Sequence, residues 1–105
     1  MKDYKIKYLK AAINEITDIS HYISVELDSP DAANSVVDLI FSAIYSLADF
    51  PYAFPTITLS LKKGKFAYRK LVVKNYIVIF RVNQRQRMIY IDHVVHARRN
   101  YMEFL

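Results

Sequence analysis

Several residue types that define functional classes are missing or scarce in this 105-residue chain. It has no cysteine, which excludes disulfide scaffolds, cysteine-ligated zinc, iron–sulfur clusters and thiol nucleophiles. One glycine, Gly64, is too few for a glycine-rich phosphate-binding loop. No apolar run approaches the roughly 20 residues that span a bilayer, and the N-terminus lacks the apolar core of a secretory signal. We therefore expect a cytoplasmic protein that does not contact membranes.

What is present suits one folded domain over residues 1–105. Hydrophobic residues make up 53% of the chain and charged residues 24%, which is enough apolar material for a core. The length also matches a single compact domain, since domains cluster at roughly 100–150 residues. Neither a linker nor an internal repeat divides the sequence.

Acidic residues are scarce in the second part of the chain. Residues 1–60 hold four basic and eight acidic residues, whereas residues 61–105 hold eleven basic residues and only two acids, Asp92 and Glu103. The net charge of +5 is therefore the sum of −4 in the first part and +9 in the second. Such asymmetry predicts a polyanionic partner for the second part, either nucleic acid or an acidic protein.

The spacing of apolar residues predicts six elements. An apolar–basic alternation at residues 4–9 predicts a strand, and apolar residues at helical spacing then predict a helix from Ala11 to near Asp28. Ser29 and Pro30 are typical of an N-cap and a first helical residue, so we expect a second helix from there to about Asp49. Three strands, rich in Ile, Val, Tyr and Phe, are predicted at residues 66–73, 76–82 and 88–95.

These elements define an α+β fold in the order β-α-α-β-β-β. The connections at residues 74–75 and 83–87 are too short for a parallel crossover, so the last three strands must be antiparallel neighbours. The middle strand is apolar on both faces, which is typical of a central strand. We expect an antiparallel sheet packed against an N-terminal helical hairpin.

Neither a metal site nor a cofactor site is indicated. His93 and His96 are three residues apart, which on a strand puts their rings on opposite faces, and neither a carboxylate cluster nor a third histidine lies near them in sequence. Serine residues are scattered without a nucleophile elbow, so a hydrolase triad is not indicated either.

The basic residues of the second part are the candidate functional group. Clustered Lys and Arg are suited to phosphate, although solvated loop lysines and arginines paired with the scarce acids explain them equally well. The segment 96–101 brings two arginines and a tyrosine together after the last strand. Cations on a phosphate and a tyrosine that transfers a proton would suffice for metal-independent RNA cleavage through the 2′-hydroxyl. The candidates are Lys62, Lys63, Lys65, Arg69, Lys70, Arg81, Arg98, Arg99 and Tyr101.

Two stretches resemble a known family. The run AYRKLVVKNYIVIFRV at residues 67–82 and the run HARRNY at residues 96–101 are similar to the RelE/ParE superfamily of type II toxin–antitoxin toxins. The resemblance extends over essentially the whole chain and implies a growth-arresting toxin of the kind that stabilises plasmids. It also implies a cognate antitoxin as partner, with operator DNA bound only through that antitoxin.

The superfamily implies two mechanisms. Nuclease members cut messenger RNA on the ribosome. The resemblance implies that Arg98, Lys70 and Tyr101 of this chain match their catalytic positions. The other basic candidates (Lys62, Lys63, Lys65, Arg69, Arg81 and Arg99) would then bind RNA or another target. Ile77 departs from this pattern, because nuclease members often have arginine there.

We interpret the chain as a toxin, most concretely an endoribonuclease that cleaves ribosome-bound messenger RNA. The alternatives are a ParE-like, non-enzymatic inhibitor of DNA gyrase and a degenerate binding module held by its antitoxin.

Overall fold

The computed structural model describes residues 3–57 and 67–101, and these form the expected α+β fold. The element order β-α-α-β-β-β is confirmed. The elements are β1 (Lys5–Tyr8), α1 (Lys10–His21) with a π-helical continuation (Tyr22–Glu26), α2 (Pro30–Ser46), a 3₁₀ turn (Pro51–Ala53), β2 (Tyr68–Val73), β3 (Tyr76–Asn83) and β4 (Met88–His96). No helix of the described part is long and apolar enough to cross a membrane.

The sheet has the strand order β1-β4-β3-β2. As predicted, β3 is antiparallel to both β2 and β4. The first strand differs from the expected antiparallel arrangement, because β1 lies parallel to β4, with Lys5 opposite Met88 and Tyr8 opposite Ile91. Short connections determine strand direction only between neighbours in sequence. The direction of β1 could therefore not be predicted from a short turn, because β1 and β4 are far apart in sequence.

The core lies between the helical hairpin and one face of the sheet. Val78 and Phe80 of β3 are fully buried there against Ile40 and Ile44 of α2. The next residues along β3 alternate to the other face, where Ile77 and Ile79 are also buried. The prediction of a central strand that is apolar on both faces is thus confirmed. Each such side chain contributes about 1.5–3 kcal/mol when it leaves water.

The turn between the two helices lies where the sequence predicts it. Asp28 has a φ of 50°, which reverses the chain, and aspartate is among the few residues that tolerate this region. Ser29 is the N-cap of α2 and Pro30 its first residue, as predicted. The Ser29 carbonyl accepts the Ala33 N–H at 3.0 Å, but its hydroxyl makes no capping hydrogen bond.

Glu15 fixes α1 against the part of β4 that β1 does not reach. On the β1 side, the Leu9 N–H donates to the Ile91 carbonyl at 3.0 Å. Beyond it, the Glu15 carboxylate accepts the Val94 N–H at 3.0 Å and lies 3.2 Å from His93 Nδ1. A helix side chain therefore satisfies an edge N–H that would otherwise be left without a strand partner.

Candidate functional site

The side of the sheet that faces away from the helices is called the open face here. Because side chains alternate along a strand, one residue in two belongs to it. A bulge in β4 interrupts the alternation: Ile79 pairs with His93 but Phe80 pairs with Ile91, which leaves Asp92 as the extra residue. The open face contains Lys5 and Lys7, Tyr68, Lys70 and Val72, Ile77, Ile79 and Arg81, and Tyr90, Asp92, His93 and Val95.

One half of the open face is apolar and is covered by the tail that follows β4. Ile57, Ile77, Ile79 and Val95 form a buried cluster, separate from the main core, and Tyr101 packs against it. We call this group the apolar half. The tail reaches it because the chain turns after His96, where the Ala97 N–H donates to the Asn75 carbonyl at 2.7 Å. Tyr101 is therefore placed on the face by backbone contacts as well as by its ring.

Lys70 and Tyr101 are two of the three predicted catalytic residues, and the structure brings them together. Lys70 Nζ donates to Tyr101 Oη at 3.4 Å and lies 5.8 Å from the centre of the ring. Lys70 is opposite Ile79 in the β2–β3 pair, so this contact lies above the apolar half. An ammonium beside a phenol is suited to packing and to proton transfer alike.

Arg81 occupies the other half of the open face and is paired with a buried acid. Its Nε and Nη2 donate to the two oxygens of Asp92 at 2.7 and 2.9 Å, and Asp92 is only 5% exposed. Burial opposes the charge of Arg81, but the hydrogen bonds and the charge of Asp92 outweigh it and raise the pKa of the guanidinium. The Tyr90 and Tyr68 rings lie 5.2 and 6.0 Å away. These four residues, Tyr68, Arg81, Tyr90 and Asp92, are called the paired half.

Arg69 lies on the helix side of the sheet. Its Nη1 donates to the Phe54 carbonyl at 2.6 Å, and its guanidinium lies 4.9 Å from the centre of the Tyr52 ring. Adjacent residues of a strand point to opposite faces, so Arg69 and Lys70 cannot act on one group.

The remaining candidates are exposed or lie outside the described residues. Arg98 is exposed, and its backbone N–H donates to His96 Nδ1 at 3.1 Å. Arg99 lines a groove between the π-helical turn and the β2–β3 turn, where Asp18 and Lys74 also lie. The predicted Lys62, Lys63 and Lys65 lie outside the described residues.

The two histidines have other surroundings. His93 meets Glu15, and the His96 ring lies edge-on to Tyr76 at 5.5 Å. No cluster of three metal-ligating residues occurs among residues 3–57 and 67–101.

The interpretation of the sequence missed Asp92, Lys5 and Lys7 as parts of the open face. Asp92 carried a signal, since it is the sole acid within the three predicted strands of the basic second part. Lys5 and Lys7 also carried one, because they alternate with Tyr4, Ile6 and Tyr8. What could not be read was that β1 would join β4.

The fold is similar to that of solved toxin–antitoxin proteins. A chain of the chromosomal ParDE toxin–antitoxin system from P. aeruginosa matches with a TM-score of 0.68 and 19% identity, over 91% of this chain and 98% of that one. A chain of the archaeal RelE–RelB complex from Pyrococcus horikoshii OT3 matches with a TM-score of 0.64 and 19% identity, over 92% and 98%. For the RelBE2 complex from Mycobacterium tuberculosis the values are 0.59, 14%, 90% and 98%. These likenesses define a RelE/ParE-like fold.

The sequence itself gives the family. A comparison with curated protein sequences gave no match. The family model described as the ParE toxin of the type II toxin–antitoxin system parDE matches residues 6–101, which is nearly the whole chain. The chain therefore belongs to the ParE toxin family within the RelE/ParE superfamily, and it is a toxin of a type II toxin–antitoxin system.

Proposed function

We propose that this toxin arrests growth by binding DNA gyrase through protein contacts, without cutting RNA. The observation that carries the proposal is the apolar half of the open face. Ile77 and Ile79 occupy its centre and are buried beneath Tyr101, where a nuclease of the superfamily would be expected to place cations on the scissile phosphate. The match to the ParE family, along nearly the whole chain, supports the same branch.

The distribution of charge also supports protein contacts. Arg81 is already bound to the two oxygens of Asp92, and Arg69 is on the other side of the sheet. Of the predicted RNA-contacting groups on the described strands, Lys70 is left on the open face, and it contacts Tyr101. A trigonal-bipyramidal phosphate carries more negative charge than Lys70 alone balances, so the apolar half is poorly suited to transition-state stabilisation.

One observation favours messenger RNA cleavage as the second candidate. Lys70 and Tyr101 meet at 3.4 Å, and Arg98 is exposed in the same tail. If an RNA strand brought Arg98 over this pair, a cation, a proton donor and a proton acceptor would be present. The two candidate functions therefore assign different roles to the Tyr101 hydroxyl: messenger RNA cleavage needs it for proton transfer, whereas gyrase binding does not need it.

Variants at Tyr101 separate the candidates because the ring and its hydroxyl can be removed independently. Under the gyrase proposal, Tyr101→Phe keeps the ring on the apolar half and should keep the growth arrest. Tyr101→Ala should lose it. The measurements are growth after induction, supercoiling by purified gyrase with added toxin, and primer extension on a reporter messenger RNA.

Discrete cuts inside the translated message that disappear in Tyr101→Phe and in Arg98→Ala would overturn the proposal and establish the nuclease. Inhibition of supercoiling by the wild-type chain and by Tyr101→Phe, with intact message, is the expected result. Fluorescence and circular dichroism of each variant show whether it is folded.

A cognate antitoxin completes the proposed function. The exposed large apolar residues of the helices include Ile13, Val25, Leu39 and Phe41, and the second part of the chain is strongly basic. An antitoxin segment that carries apolar and acidic residues would complement the helical hairpin and the sheet together.

Salt tests the two contributions to antitoxin binding. Screening weakens charge pairs but leaves apolar burial in place, so the dissociation constant should rise with salt while the complex persists. Titration calorimetry at increasing sodium chloride measures this. A dissociation constant that does not change with salt would contradict the electrostatic contribution.

A further inference from the structure

Two lysines from the acidic first part of the sequence stand on the basic sheet. Tyr4, Ile6 and Tyr8 pack against the main core, so Lys5 and Lys7 point to the open face, where both are exposed. β1 is an edge strand, and its parallel pairing with β4 sets Lys7 opposite Tyr90. The net charge of −4 of residues 1–60 therefore does not describe the surroundings of these two side chains.

The β3–β4 turn adds two arginines at the same corner. Residues 84–87 form this turn and all four are exposed. The Arg87 carbonyl accepts the Lys5 N–H at 2.9 Å, which holds the end of the turn against the beginning of β1. We call the four residues Lys5, Lys7, Arg85 and Arg87 the basic corner. Asp3 is the acidic residue nearest to it in sequence.

Tyrosine rings and glutamine amides surround these cations. The Arg87 guanidinium lies 5.3 Å from the centre of the Tyr4 ring, which packs on the helix side of β1, so Arg87 borders the corner at the sheet edge and Lys5 and Lys7 border it on the open face. The Tyr90 hydroxyl donates to Gln86 Oε1 at 2.8 Å. Gln84 Oε1 accepts the hydroxyls of both Tyr4 and Tyr52. The turn is thus held in one shape by side-chain contacts. Cations beside aromatic rings and amides are typical of surfaces that contact the phosphates and bases of nucleic acid.

The same corner is rich in charge, and the exposed aliphatic side chains of the described residues are not found there. The centres of protein interfaces are apolar and depleted in charge. The exposed aliphatic side chains of the described residues lie elsewhere: Ile13, Val25, Leu27 and Leu39 are in the helical layer, and Val72 is on β2. The exposed aliphatic side chains are therefore separate from the basic corner, whereas the half-exposed Tyr52 ring contacts its turn through Gln84.

We propose that the basic corner binds the phosphodiester backbone of nucleic acid, without reading its sequence. This binding is separate from the proposed inhibition of gyrase and differs from the expectation that the toxin reaches DNA only through an antitoxin. Lys and Arg that neutralise phosphates release condensed counterions, so the affinity must fall steeply with salt.

The test is the salt dependence of binding by the purified full-length chain. Fluorescence anisotropy with a labelled duplex DNA should give a log–log slope of about −2 to −4, for two to four phosphate contacts. In the double variant Lys5→Gln/Lys7→Gln we expect the slope to be less steep by about 2, and the affinity at 0.1 M salt to be lower by roughly 10- to 100-fold.

The charge-matched control is Lys74→Gln/Arg98→Gln, which removes two exposed cations from the opposite end of the sheet. It should leave the slope nearly unchanged. The proposal is overturned if the control lowers the slope as much as the corner variant does, because binding would then follow net charge alone. It is overturned as well if polyglutamate competes as effectively as DNA at equal charge, because an acidic protein would then be the better partner.

Discussion

The two halves of the open face use the same strands and the same alternation, yet they are built on different principles. In the apolar half, Ile77 and Ile79 are buried because Tyr101 and Ile57 cover them. In the paired half, Arg81 keeps its charge beside buried Asp92 and between two tyrosine rings. In the apolar half, the tail after β4 covers the sheet and excludes water. In the paired half, the charge of Arg81 remains and is balanced by Asp92 within the sheet.

This difference shows that the number of cations in a sequence is not the number that a ligand can use. Arg81 and Lys70 lie one row apart on the same face and have the same formal charge. Arg81 is held by a bidentate contact, which is the strongest arrangement for a guanidinium and a carboxylate. Among the described residues, Lys70 makes a long hydrogen bond and a ring contact, both with Tyr101, so it is the one more easily recruited by a partner.

Removing a side chain from the centre of the apolar half should have the largest effect. Ile79 is 0% exposed, and Ile79→Ala should lower the free energy of unfolding by about 3–4 kcal/mol through lost burial and the cavity left behind. Urea denaturation measures it. The matched control is Val72→Ala, on the same face but 60% exposed, with an expected change within about 0.5 kcal/mol. Equal losses in both variants would mean that the tail does not cover this half.

The paired half should be broken by removing its acid. Asp92→Ala leaves the Arg81 guanidinium partly buried without its carboxylate, and we expect a loss of about 2–3 kcal/mol, somewhat less than for a fully buried pair. Chemical denaturation at neutral pH is the measurement. The double variant Arg81→Met/Asp92→Leu should recover most of the loss, because no uncompensated charge remains. A double variant as unstable as the single one would contradict this account.

Tyr101 should show how much the tail contributes to the apolar half. Tyr101→Ala uncovers Ile77 and Ile79 in part, with an expected cost of about 1–2 kcal/mol. Tyr101→Phe should cost less than about 0.5 kcal/mol, because a neutral hydrogen bond as long as 3.4 Å contributes little. Thermal unfolding of both variants tests the order. A larger loss for the phenylalanine variant would assign the stability to the hydroxyl.

Tyr8 lies on the helix side of the sheet, and the loss of stability that its ionisation causes at high pH provides a comparison for both halves of the open face. Burial raises the pKa of Tyr8 to about 12, whereas an unfolded tyrosine ionises near 10. Its stabilising contribution is therefore complete below about pH 10 and is lost between about pH 10 and 12, by roughly 1–2 kcal/mol because the ring keeps some solvent access. Unfolding measured across this range in the wild type and in Tyr8→Phe tests it. The variant should lack this part of the decline.

The sequence predicted what depends on neighbours along the chain. Helix spacing, the Ser29–Pro30 start and the short turns at residues 74–75 and 83–87 yielded the helical hairpin and three antiparallel strands. The parallel position of β1 depends on a contact between distant segments, which no local signal encodes. The bulge that turns Asp92 towards Arg81 belongs to the same class, because one extra residue in a strand changes every later side-chain direction.

The candidate site was predictable in composition but not in arrangement. Lys70 and Tyr101 were singled out for chemistry, and they do meet. Arg69 and Arg81 were grouped with them, but each has its own partner, the Phe54 carbonyl for one and Asp92 for the other. A hydrogen-bonding partner in another segment cannot be read from the residue type.

The pairing of β1 with β4 also determines when during synthesis the sheet can be completed. Lys5 and Met88 are 83 positions apart, so the first strand made during synthesis waits for one of the last before it enters the sheet. Closing so long a loop slows folding, because the chain loses entropy before the contact rewards it. The helical hairpin needs no such wait, since its contacts are local. A nascent chain can therefore present the hairpin surface before its sheet is complete.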